Sequence, residues 1–137
     1  MSFLDLNLND VPDLKALPDG EYELRLTDVE LRTVNNATSS YNGAQFLLLK
    51  FDVPSNIDSK GITHTLFLPR PEDDAKERNN RLRGIKAFCD AFGIDYSNGI
   101  DIEAMKGSGV TGWALLKIEE SDDYGEQNRI RRFVVGQ

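Results

Sequence analysis

The sequence has 137 residues, with 16 Lys+Arg against 23 Asp+Glu and a net charge of −7; that is enough chain for one domain with a real core, and too acidic for a surface that binds polyanions indiscriminately. A single cysteine, Cys89, and a single histidine, His64, exclude an internal disulfide and a cysteine-based zinc site and leave little imidazole for metal or acid–base chemistry. No stretch approaches the roughly 18 apolar residues that span a bilayer, and the opening M-S-F-L-D-L-N-L-N-D lacks the basic start and apolar run of a signal peptide, so a cytoplasmic protein with no membrane partner is expected.

From the N-terminus, residues 1–18 form an arm in which Leu4, Leu6 and Leu8 alternate with Asp and Asn. Between Glu21 and Val34 the alternation of a half-buried strand sets Tyr22, Leu24 and Leu26 on one face. Val29 and Leu31 resume the apolar set one residue out of step, which predicts a β-bulge near Thr27 and Asp28 and a bent strand. A polar loop, Asn35 to Gly43, leads to a second strand, A-Q-F-L-L-L-K-F-D-V. There Leu47, Leu49, Phe51 and Val53 read as inward, and Phe46, Leu48, Lys50 and Asp52 as outward.

The third strand, I-T-H-T-L-F-L, sets Ile62, His64, Leu66 and Leu68 against Thr63, Thr65 and Phe67. Pro71 followed by three acids reads as a helix start. Leu82, Ile85, Cys89 and Phe92 then recur at helical spacing up to Gly93, predicting a helix over 72–92. D-I-E-A-M-K adds a short helical turn. A fourth strand, V-T-G-W-A-L-L-K-I-E, turns Val110, Ala114, Leu116 and Ile118 inward and Trp113 and Leu115 outward; N-R-I-R-R-F-V-V is the fifth. The outward Trp113 and Leu115 need cover. The leucine arm can supply it within the chain, or by crossing to a second copy and making a homo-oligomer.

Three strands, a helix and two more strands, with no repeat or linker, predict a single domain over 1–137. The expected fold is a mainly β, five-stranded OB-fold-like Greek-key barrel with one helix between strands 3 and 4. In that fold the first-to-second strand loop, 35–43, and the fourth-to-fifth, 119–128, are the loops that grip oligonucleotides or oligosaccharides.

Three stretches carry a resemblance: L-P-D-G-E-Y-E opening the first strand, I-K-A-F-C-D-A-F-G-I ending the helix, and D-Y-G-E-Q-N-R-I-R-R-F at the close. Together they resemble a family of small phage-encoded proteins similar to the phage single-stranded-DNA-binding proteins, and the likeness runs over most of the chain. It implies an accessory of phage DNA replication or recombination, partnered by single-stranded DNA and by replication or recombination proteins in the bacterial host cytoplasm. Such proteins often end in a flexible acidic tail that recruits partners; this sequence closes F-V-V-G-Q after its last strand, so that mode of recruitment is not carried over.

Single strands are held by aromatic platforms, worth about 1–3 kcal/mol per stacked base, and by a cationic groove. The net charge leaves room for such a groove: residues 1–30 hold eight acids against Lys15 and Arg25, while 70–86 and 129–132 carry nine of the sixteen basic residues. Salt screens exposed charges beyond about 10 Å at 0.1 M, so a local stripe can bind phosphate while the remaining surface repels it. The expected stacking residues are Tyr41, Phe46, Phe67 and Tyr124, and the expected phosphate contacts are Arg32, Lys50, Arg70, Arg129, Arg131 and Arg132.

Each has a plainer reading. Phe46 and Phe67 are core if one bulge reverses the strand faces, and a loop tyrosine commonly just lies on the domain. The acids of 119–126 either gate the groove or pair with the arginines across a hairpin, and Lys76, Arg83 and Lys86 read as a solvated helix face. A protein-interaction module on the same fold, without nucleic acid, is the alternative function. No P-loop, nucleophile elbow, Cys/His pair or calcium loop occurs, so no enzymatic activity, cofactor or metal is expected.

Overall fold

A computed structural model describes residues 4–136. Five strands, β1 (Gly20–Thr33), β2 (Gln45–Asp52), β3 (Ile62–Phe67), β4 (Thr111–Ser121) and β5 (Gly125–Val134), form one antiparallel sheet in the order β3-β2-β1-β4-β5. Two helices, α1 (Ala75–Phe92) and α2 (Ile102–Met105), lie between β3 and β4 in the chain. The long β1 is the hub of the sheet: its N-terminal half pairs with β4 and its C-terminal half with β2. The register slips between Leu26 and Asp28, so Thr27 is the bulge that the phase slip in the sequence predicts.

Alternation decides what the sheet buries. Leu24, Leu26, Val29, Leu47, Leu49, Phe51, Ala114 and Leu116 are all at most 3% exposed and make the core with α1. Asp74 caps α1 by accepting from the Glu77 backbone N–H, so the helix begins three residues later than the acids alone predict, and Gly93 closes it in the left-handed conformation. The helix buries Ile85, Phe88, Cys89 and Phe92. Leu82, expected on that stripe, is 41% exposed at its margin, and Phe88 is the apolar residue the reading passed over.

The expected closed barrel is not what the strands make. Hydrogen bonding stops at β3 on one side and β5 on the other, and these two edges approach each other without forming a ladder. Side chains fill the seam: the His64 and Phe133 rings meet edge to face at 5.3 Å, and Phe133 packs on Phe88 and Phe92 of α1. Burial lowers the pKa of His64 from its ordinary value, favouring the neutral imidazole.

Residues 119–128 are not a loop: Glu119 pairs with Gln127, Glu120 with Glu126 and Ser121 with Gly125, leaving only 122–124 as the turn. Gly125, at φ +69, supplies the left-handed residue that closes such a short hairpin. Ile118, expected inward, lies 38% exposed on this projecting hairpin. The arm does not cover Trp113 within the chain, because Leu4, Leu6 and Leu8 are 65–77% exposed, and residues 1–3 lie outside the described residues. What holds the arm is its inner end, where Lys15 bridges Ser59 and the buried Asn128 side chain bonds both backbone groups of Leu17.

Candidate nucleic-acid interface

Cross-strand register assembles the site on the sheet face opposite the core. Arg32, Phe46 and Phe67 are successive partners across β1, β2 and β3, so their side chains share one row. The two phenyl rings are half-buried with centroids 5.4 Å apart. The β1–β2 loop folds back over this row, setting Tyr41 6.0 Å from Phe67. Three aromatic rings thus form one continuous surface.

Two guanidiniums complete it. Arg70, just past β3, lies 4.9 Å over the Tyr41 ring and donates from Nη1 to the Ser40 carbonyl at 3.2 Å, tying the loop down. Arg81 of α1 stands 5.7 Å over Phe67 and 6.0 Å over Tyr41. Such cation–π placements each contribute about 0.5–2 kcal/mol, more where water is excluded. Their counter-ion is Asp73, whose side chain is fully covered. It accepts from the Arg70 backbone N–H at 2.9 Å and lies 2.9 Å from Arg81 Nε, off the hydrogen-bond line, so that Nε–H has no aligned acceptor. The Arg70 backbone N–H, and then the charges of Arg81 and Arg70, hold the Asp73 carboxyl below its ordinary pKa.

Glu72 approaches Arg70 Nε at 3.4 Å as well, so two guanidiniums meet two carboxylates and the cluster has no net charge. Arg32 is likewise paired, donating from Nε to Glu30 at 2.7 Å. The ring surface is therefore aromatic and nearly neutral, its neighbouring rings tilted by 41–43° to one another. It suits a planar uncharged group better than a phosphate.

The remaining predicted residues lie elsewhere. Lys50 is exposed on the same face of β2, opposite Asp28 and Thr63. Tyr124 is 70% exposed at the hairpin tip, where Lys60 Nζ holds its backbone carbonyl at 3.2 Å; Lys60 leaves the opposite end of β2 from the Tyr41 loop. Arg129 sits 3.8 Å from Glu119 across the hairpin, an exposed ion pair. Arg131 is the unpaired residue of the β5 register slip, Arg132 follows it, and both line the seam. The reading therefore brought Arg32, Tyr41, Phe46, Phe67 and Arg70 together and missed Arg81. Its signal was present: Arg81, Ile85, Phe88 and Phe92 share one helical face, so an arginine on the buried stripe needed a partner.

Among the described residues, no three His, Cys, Asp or Glu side chains converge as metal ligands, and no helix is long and apolar enough to cross a membrane. Neither family models nor curated proteins match the chain.

Proposed function

We propose that this chain binds single-stranded DNA with little sequence preference, as a stoichiometric, non-enzymatic accessory of phage DNA replication or recombination in the host cytoplasm. The observation that carries the reading is the Tyr41–Phe46–Phe67 surface with Arg70 and Arg81 laid on its rings. Every base offers a π-face to such a surface, which is why stacking tolerates any sequence and requires bases free of a duplex. Support also comes from topology: a long β1 shared between β2 and β4, and a helix between β3 and β4 at an open β3–β5 seam, are features an OB-type fold would have, and in that fold the β2–β3 face binds oligonucleotides. Replication or recombination proteins are the proposed protein partners, and the exposed arm or the Trp113 face would join copies into a homo-oligomer.

One observation favours a protein-interaction module instead. The arginines at the aromatic rings are already partnered by Glu30, Glu72 and Asp73, as on a surface that does not await phosphate, and Lys50 is the cation left on that face of β2. Fluorescence anisotropy of labelled oligothymidine, with Phe46→Ala/Phe67→Ala alongside, separates the two. Loss of two stacking platforms at about 1–3 kcal/mol each predicts at least a tenfold weaker complex. Absence of wild-type binding at low salt would sink the DNA reading and leave the protein module.

A further inference from the structure

The neutrality of the ring surface leaves open where a DNA strand would place its phosphates, and the arginines without acid partners point to a different part of the molecule. Among the described residues, no carboxylate lies within 4.0 Å of the Arg78, Arg83, Arg131 or Arg132 guanidinium, whereas Arg25, Arg32, Arg70, Arg81 and Arg129 are all in ion pairs; three of the four unpaired arginines are near the β3–β5 seam. Arg131 and Arg132 stand on one wall of a cleft of about 260 Å³ at the β3–β5 seam. Its floor is His64, Leu66 and Phe133, and its other wall is Gly84 and Ala87 of α1.

Arg83 lies beside that wall, on the outward flank of α1 about 100° around the helix axis from Gly84. It lies one helical turn before Ala87 and leans toward Asn80, donating from Nη1 to Asn80 Oδ1 at 3.0 Å; Asn80 in turn lies one turn before Gly84. Gly84 and Ala87 raise no side chain above the cleft, and Gly84 sits against Leu66. A chain laid across the helix there meets three cations and no bulk. Helix α1 connects this wall to the ring surface, because Arg81 touches Phe67 and Tyr41 while Gly84 and Ala87 follow about 4.5 and 9 Å further along the axis. The acids beside this flank are Glu77, one turn before Arg81 at the ring end, and Asp90, two turns after Arg83, whose carboxylate is held by Lys86 at 2.7 Å.

We infer that recognition is divided between two surfaces: bases stack on the neutral Tyr41–Phe46–Phe67 face, and the sugar–phosphate backbone crosses α1 into the β3–β5 seam, where Arg83, Arg131 and Arg132 bind its phosphates. The inference rests on the single-strand reading and adds Arg83 and the seam as a phosphate site. It also removes Arg32, Arg70 and Arg81 from phosphate contact, because their charge is already compensated.

Salt dependence tests the division. For single strands, each phosphate contact contributes about 0.7 to the slope of log affinity against log salt. Oligothymidine binding is measured across a salt series for the wild type, for Arg83→Gln/Arg131→Gln/Arg132→Gln, for each single change, for Arg78→Gln on the other flank of α1, and for Phe46→Ala/Phe67→Ala. The triple variant is expected to flatten the slope by about 2 and each single variant by about 0.7, while Arg78→Gln and the phenylalanine variant keep the wild-type slope. Wild-type binding with an unchanged slope in the triple and single variants would overturn the phosphate track and leave the stacking surface standing. No wild-type binding at any salt would overturn both. Unfolding midpoints within a few degrees of wild type establish that the exposed Arg→Gln variants are folded.

Discussion

Asn128 is the point where one side chain holds a distant piece of backbone, and removing it has a calculable consequence. The residue is 3% exposed; its Oδ1 accepts from the Leu17 N–H at 2.8 Å and its Nδ2 donates to the Leu17 carbonyl at 2.9 Å. The amide thus stands in for a strand neighbour at Leu17, two residues past the Lys15–Ser59 bridge. Asn128→Ala removes two bonds worth about 0.5–1.5 kcal/mol each and orphans two buried backbone groups at about 1–3 kcal/mol each. Water entering the vacated space offsets part of this, so a loss of about 2–5 kcal/mol is expected. For a domain of this length that lowers the unfolding midpoint by roughly 8–15 °C. Leu17, 2% exposed, loses its place in the core with the bond. Thermal unfolding measures the sum, and hydrogen exchange at the Leu17 amide, against a core amide such as Leu49, locates it. Destabilisation below about 0.5 kcal/mol with unchanged Leu17 protection would refute the argument, since that is the size of an ordinary surface substitution.

Gly112 on β4 packs where a Cβ would lie 2.6 Å from the Ala91 carbonyl and 2.7 Å from Phe92 Cδ1, so Gly112→Ala should cost about 1–3 kcal/mol or more in denaturant unfolding. Gly20→Ala is the control, because its Cβ meets only the Tyr22 ring at 3.6 Å, and a similar loss at both positions would contradict the close-approach argument. If the exposed leucine arm joins copies, sedimentation at micromolar concentration should give a mass above 15.4 kDa that falls to the monomer when Leu4, Leu6 and Leu8 are changed to Ser. A monomeric wild type would remove the arm-mediated oligomer.

Period and punctuation, read along the chain, determined the strands of this protein, the bulge at Thr27, the capped helix and the outward placement of Phe46 and Phe67, because each depends on residues a few positions apart. The same local grammar misjudged 119–128, where five acids read as a loop although only three residues were needed to turn. Tertiary structure alone decided the rest. The Asn128 side chain meets a backbone 111 residues away, Gly112 is shaped by a helix end, and the strand edges stop short of closing because α1, His64 and Phe133 occupy the seam. The site divides along the same line: its rings were visible in the alternation of β2 and β3, but the charge state of its arginines was not. Whether an arginine is compensated depends on which carboxylate the fold brings within about 4 Å, and Coulomb energy follows that distance rather than separation along the chain.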